Sequence, residues 1–257
     1  MRSTLSTVYL ILIYGFIFCP VVVLVLFSFQ DSRLPVPPFT GPSLKWYGQV
    51  LGDSALMAAL GNSLIVALIS SAIALTLGFL AAYALARHHL PGSALMRALL
   101  VAPMTVSYLI LALGLLRLTN QAGIAPSLWI TGIGHVVINL PLCFAILYAS
   151  MGDHQKNIER AARDLGASEA SVIWLITAPM LMPSLFAAFF LSVTFSWDEF
   201  IIAFLLTRFE VTLPVEIWSM LRSGLSPATN AVGSLVFLIS VAVLLALEFL
   251  VFRKAKA

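Results

Sequence analysis

The stretch Asp153-His154-Gln155-Lys156-Asn157-Ile158-Glu159-Arg160-Ala161-Ala162-Arg163-Asp164-Leu165-Gly166-Ala167-Ser168-Glu169 is dense in charge within a chain that is otherwise oily. Ile158, Ala161, Ala162 and Leu165 recur at helical spacing and make a stripe of small and apolar groups. Glu159, Arg160, Arg163 and Asp164 occupy the other sides. Gly166 can take the positive φ that ends such a helix. Ser168 can cap the next helix, with Glu169 in its first turn, where a negative charge is favoured. That second helix, Ala170 to Thr177, carries Val172, Ile173, Leu175 and Ile176, and stops where Pro179 and Pro183 restart the chain. The pattern predicts a helix–turn–helix elbow over residues 153–179. A structured, charged loop of this kind either docks a partner in the water or rests on lipid headgroups.

Outward from the elbow, the chain reads as membrane protein. It is 61% hydrophobic and 10% charged, against roughly 25% charged residues in a soluble domain. With so few charges, 257 residues cannot clothe a soluble globule, so the bilayer is the expected solvent. A net charge of +3 argues against a nucleic-acid partner. Runs of about 20 apolar residues predict an all-α, polytopic fold with six spans, near residues 7–29, 59–86, 98–118, 128–150, 181–206 and 231–251. The first run is too long for the apolar core of a signal peptide, and no small-x-small site follows it, so a retained helix is expected. Pro35, Pro37, Pro38 and Pro42 bar a regular helix after it. The mixed aromatic and polar stretch 44–51 suits a short helix at the membrane–water boundary. The polar stretches are too short to bury a core of their own, which leaves a single transmembrane domain over 1–257.

Six spans put both termini on one side. That side holds nine basic residues: Arg2, Arg87, Arg97, Lys156, Arg160, Arg163, Arg253, Lys254 and Lys256. The other holds five: Arg33, Lys45, Arg117, Arg208 and Arg222. The positive-inside rule therefore places both termini, the turn at Arg87 and the elbow in the cytoplasm.

Within the spans, Phe195-Ser196-Trp197-Asp198-Glu199-Phe200 stands out, because intramembrane acids are costly and usually face a cavity. Successive helical residues point about 100° apart, so Asp198 and Glu199 are not expected to face one pathway together. A carboxylate with aromatics such as Trp197 suits a cation; the alternative is an acid that pairs with a helix terminus or with a basic group of a partner. Asn139 and Pro141 either make a gating kink or a packing one. His135 reads as a hydrogen-bonded core residue, and Glu248 as a group near a span end that can snorkel. Cys19 and Cys143 lie in apolar runs without metal-ligand spacing. No G-x-x-x-x-G-K-[ST] phosphate loop and no H-E-x-x-H occurs. From the residues alone, a stand-alone ion-coupled transporter and an intramembrane enzyme remain rivals to a partner-driven machine.

The segment from Glu159 to Ala167, with Pro179 and Pro183 beyond it, resembles the "EAA" coupling loop of importer-type ABC transporter permeases. Ser28-Phe29-Gln30, Ser43-Leu44-Lys45-Trp46-Tyr47, Asn62-Ser63-Leu64 and Ser226-Pro227-Ala228-Thr229-Asn230-Ala231 extend the likeness over most of the chain, toward the second permease subunit of spermidine/putrescine importers. One departure is Arg160, which stands where the family has its glutamate, with Glu159 one place earlier. The resemblance implies a non-catalytic permease in the bacterial inner membrane that binds no cofactor. It implies two ATP-binding cassette subunits that bind the ATP, a second related permease in a heterodimer or a homodimer, and a periplasmic or extracellular solute-binding protein. It assigns coupling to the ATPase to Glu159, Arg160, Ala161, Ala162, Asp164, Leu165 and Gly166. The substrate it implies is a polyamine or another organic cation, with an amino-acid derivative or opine as the alternative.

Overall fold

Apolar residues on every side of a long segment favour a helix wherever the surroundings cannot hydrogen-bond the backbone, and the structure is helical accordingly. It is a computed structural model that describes the backbone of residues 2–255 and the side chains of residues 6–242. Helix α1 is Arg2–Ser28 and the short α2 is Lys45–Gly52. Then come α3 (Ser54–Arg87), α4 (Ser93–Val101), α5 (Tyr108–Gln121) and α6 (Leu128–Ser150). The elbow contains α7 (Asp153–Asp164), α8 (Glu169–Ser171) and α9 (Ala178–Met180), the last two joined by a π-helical turn over Val172–Thr177. After it follow α10 (Met182–Trp197), α11 (Ile201–Leu206), α12 (Leu213–Ser223) and α13 (Pro227–Ala255). Arg253, Lys254 and Glu248, and the basic groups Arg2 and Lys256, have side chains outside the described residues.

Three helices, Ser6–Ser28, Ser54–Arg87 and Leu128–Ser150, are long and apolar enough to cross a membrane. Two bent pairs bring the candidates to five if each pair is one span. The expected straight third span is in fact broken. Ser93–Thr105 and Tyr108–Gln121 meet at 103°. Pro103 lacks an amide hydrogen and starts a 3-10 turn over Ala102–Thr105, and Val106 and Ser107 then extend with ψ of 136° and 137°. The expected fifth span, 181–206, starts at a bend where Pro179 and Pro183 were expected to restart the chain, and is broken once within. Glu169–Met180 and Met182–Trp197 meet at 75°, with Pro183 in the first turn of α10. The helix then stops at Trp197, and α11 begins anew at Ile201.

The chain forms two compact units. One comprises residues up to Met57 together with those from Glu216 on. In it α13 packs along α1 and α2. The proline-rich link between α1 and α2 is wound around Gln30, which is 1% exposed. Its amide nitrogen donates to Ser32 Oγ and to the carbonyls of Val36 and Pro38, and its oxygen accepts from the Thr40 amide. Trp46 of α2 donates to the Gln30 carbonyl at 2.6 Å. One polar side chain thereby replaces the backbone ladder that the prolines forbid.

The second unit is Ala58–Val215 and holds the elbow and the acidic pair. Lipid tails are as apolar as leucine, so close packing rather than water exclusion holds helices together there. Gly78 on α3 illustrates this: a Cβ at that position would lie 2.9 Å from both Cys143 Cβ and the Phe144 backbone nitrogen of α6. Around that contact Phe79, Ala82, Tyr83, Phe144, Leu147, Leu181 and Ala188 form one buried cluster of α3, α6 and α10. Hydrogen bonds from Ser192 to Ser71 (2.9 Å) and between Ser70 and Ser196 (3.2 Å) tie α10 to α3. Such bonds contribute about 0.6 kcal/mol each on average. A second cluster, Ala112, Ile130, Ile138, Ile202 and Leu206, joins α5, α6 and α11.

Candidate functional site

Helix α7 is built inside out. Its apolar stripe faces away from the protein: Leu165 is 89% exposed, and Ile158 and Ala161 are exposed beside it. Ala162 is half-buried, and Arg160, Asp164 and Gly166 are exposed. Glu159, by contrast, is wholly buried. Arg87, at the end of α3, donates to its two carboxylate oxygens through Nε (2.6 Å) and Nη2 (3.1 Å), and Thr177 donates to Oε1 at 3.0 Å. Three donors to one carboxylate in a dry setting are what let a buried charge persist. Glu159 therefore anchors the elbow from within and is not part of its outer face.

A second cluster stands nearer the surface. Arg163 donates to both oxygens of Glu169, at 3.2 and 2.9 Å, and to the Tyr83 hydroxyl at 2.7 Å. Tyr83 in turn donates to Glu169 Oε2 at 3.1 Å. The hydrogen bonds from Arg163 to Glu169 push the Arg163 pKa above its ordinary value.

The turn follows backbone chemistry closely. Gly166 has φ of +87°. The Gly166 amide bonds the Arg163 carbonyl and the Ala167 amide bonds the Ala162 carbonyl, the paired closure of a Schellman motif. Ser168 Oγ then accepts from the Ser171 amide, as the sequence predicts. The helix after it differs from the expected regular α-helix, because Val172–Thr177 is π-helical. The widened turn lies where Pro179 withholds a donor and its ring crowds the Leu175 carbonyl. Trp174 and Leu175 are exposed on its outer side, 56% and 74% respectively.

The acidic pair has two different surroundings, but not through helical pitch, because Asp198 and Glu199 both lie in the non-helical break between α10 and α11. Asp198 is the exposed residue at which α10 ends, with half-buried Trp197 before it. Glu199 is 5% exposed and accepts from the amides of Ile202 (3.0 and 2.9 Å) and Ala203 (3.2 Å), so it caps α11. His135 of α6 lies 3.5 Å from Glu199 through Nε2 and hydrogen-bonds Ser196 through Nδ1. The Nε2 atom makes no hydrogen bond among the described residues, and neither does Asn139 Nδ2 one turn further along α6. Asn139 and Pro141 are buried, and α6 continues helically through Pro141. Asn62 and Ser63, flagged for their family likeness, secure the segment before α12: Asn62 donates to the Val211 carbonyl and Ser63 accepts from the Leu213 amide.

Tyr83, Arg87 and Thr177 escape a sequence reading of the site. Tyr83 and Arg87 are four residues apart at the end of α3, hence on one face. That spacing is a signal, but nothing in sequence connects it to a loop more than seventy residues on. Among the described residues, no group of three or more His, Cys, Asp or Glu side chains is arranged to hold a metal.

Residues 74–256 match the family of binding-protein-dependent transport system inner membrane components. The chain is 30% identical over 246 residues to the spermidine/putrescine transport system permease protein PotC of Escherichia coli (strain K12), covering 95% of this chain and 92% of that one. It is 33% identical to the putrescine transport system permease protein PotI of the same strain, covering 91% and 86%. It shares its fold with a chain of a bacterial ABC transporter involved in the import of the acidic polysaccharide alginate, at a TM-score of 0.67 and 19% identity over 99% of this chain and 98% of the other. With a family match over most of its length and relatives that align nearly end to end, the chain belongs to the inner-membrane permease components of binding-protein-dependent ABC importers, non-catalytic subunits whose ATP is bound by partner chains.

Proposed function

We propose that this chain moves a polyamine or another organic cation into the cytoplasm by alternating access. In this reading 1–257 is one permease domain of six spans, with both termini and the elbow in the cytoplasm. It works with two ATP-binding cassette subunits, a second related permease and a solute-binding protein outside. ATP binding closes the two ATPases, the elbow carries the motion to the spans, and hydrolysis resets them. The observation that carries the reading is the outward apolar face of α7, with Leu165 89% exposed next to a rigid Schellman turn. A helix lying on its own protein would bury that stripe, and this one buries a glutamate instead. Arg160, Ala161, Ala162, Asp164, Leu165 and Gly166 form or border the docking face. Glu159 supports it from behind.

For the solute, two observations agree. The PotC and PotI relatives are named for spermidine and putrescine. Asp198 presents a carboxylate at a helix break beside Trp197, a setting that suits a cation. Glu199 shapes that break by capping α11, and Asn139 and Pro141, buried on α6, are the gating residues of this reading. A non-polyamine solute such as an amino-acid derivative or opine is the second reading, favoured if Asp198 proves dispensable. The test is uptake of labelled spermidine and putrescine by vesicles carrying the assembled transporter. Asp198→Asn is expected to lower polyamine uptake about tenfold, the loss of roughly 1.4 kcal/mol of differential binding, with the ATPase still attached. Unchanged uptake removes Asp198 from the pathway, and absence of polyamine uptake by the unaltered transporter refutes the substrate.

A further inference from the structure

The geometry points to Arg87 as the residue through which motion of the elbow reaches the spans. This rests on the coupling reading above and adds to it a residue outside the loop. Four observations converge. First, Arg87 is the last residue of α3, whose 34 residues make it the longest helix among those described. Second, the Arg87 and Glu159 side chains are 5% and 0% exposed, and they meet through two hydrogen bonds in a forked geometry. A fork resists both sliding and rotation, which a single lysine contact does not. Third, Thr177 binds the same carboxylate from the π-helical turn, so α3, α7 and the lead-in to α10 meet at one atom group. Fourth, Arg87 Nη1 also reaches the Met151 carbonyl at the end of α6, at 3.5 Å. The ends of α3 and α6, helix α7 and the π-helical turn thus converge on one buried ion pair behind the outward face of α7.

The nearby Tyr83–Arg163–Glu169 cluster connects the same two regions but differs in kind. The Arg163 and Glu169 side chains are 30% and 53% exposed. An exposed pair is screened and contributes little rigidity. A displaced α7 can therefore loosen the outer pair while the buried fork keeps α3 moving with it. Arg87 is accordingly a positioning residue: its side chain bonds Glu159 and the Met151 carbonyl, and it acts by keeping the elbow and α3 one rigid piece.

The experiment measures two quantities on the assembled transporter in vesicles, ATP hydrolysed and solute imported. A merely structural residue lowers both in step with the amount of folded complex. Loss of transmission lowers the solute moved per ATP. Arg87→Gln is expected to retain the ATPase in pull-down and to lower solute per ATP about tenfold or more, within the range of coupling free energies between linked sites. Arg87→Lys, which keeps the charge and loses the fork, covers the case in which the glutamine variant does not insert; it is expected to show the same sign with a smaller loss. The exchange Arg87→Glu with Glu159→Arg is expected to recover part of the ratio. An unchanged ratio in whichever of Arg87→Gln and Arg87→Lys assembles overturns the inference. Gly166→Val, run in parallel, keeps the two claims separate. If it leaves docking and uptake normal, the coupling reading itself fails. If it abolishes docking while the Arg87 variants transport normally per ATP, only the role of Arg87 fails.

Discussion

Two neighbouring acids, Asp198 and Glu199, have opposite surroundings, and the difference is open to measurement. Glu199 satisfies amides at the start of α11 from a buried position, whereas Asp198 is exposed. Removing the cap leaves buried donors without an acceptor, which costs about 1–3 kcal/mol. Glu199→Ala is therefore expected to lower the unfolding midpoint of the detergent-solubilised permease clearly, and Asp198→Asn to leave it unchanged. Equal midpoints for the two variants contradict the assignment of Glu199 as a cap. The sequence carried the expectation that the two acids part, on a helical pitch of 100° per residue, but the cause is different, since both lie in the non-helical break between α10 and α11. It did not carry which acid turns inward, because the amides that Glu199 meets become available only where α10 stops at Trp197.

At the scale of elements, Gly166 and Gly78 make contrasting demands. Gly166 is held at φ +87° with nothing near a future Cβ, so a side chain there costs backbone strain of about 1 kcal/mol or more and disturbs the outer face rather than the core. Gly166→Val is expected to leave insertion and thermal stability nearly intact and to weaken ATPase association in pull-down. Gly78 has the ordinary helical backbone but no room at all. Gly78→Val is expected to destabilise the packing of α3 on α6 by about 1–3 kcal/mol, as overpacking does, seen as a lower unfolding midpoint or lower yield of folded protein. The legible elements were those with simple causes. α6 spans the stretch 128–150 that hydropathy marks, and the Schellman turn follows from one glycine. The 103° break near Pro103 and the π-helical turn before Pro179 were not legible. A proline states that a hydrogen bond is lost, not whether the helix bends, widens or continues, and α6 continues through Pro141. The buried fork of Arg87 and Glu159 was hidden for a different reason: it joins residues 72 apart in sequence, and no local period connects them.

At the scale of the whole molecule, topology and partnership are the claims to test. For topology, a Cys19→Ala background is needed first, because Cys19 is exposed on α1 while Cys143 is buried. In it, Gln49→Cys on α2 is expected to react with a membrane-impermeant thiol reagent in intact cells, and Ser168→Cys only after permeabilisation. The reverse pattern contradicts the cytoplasmic elbow. For partnership, the two explanations of a charged loop, docking or lying on lipid, differ in what touches its outer face. A photo-reactive side chain placed at Leu165, 89% exposed at the C-terminal end of α7, answers that directly, with Phe16, 84% exposed on the apolar helix α1, as the control. The account predicts a covalent adduct between position 165 and the ATP-binding cassette subunit, and none from position 16; labelling of lipid alone at both positions would contradict it.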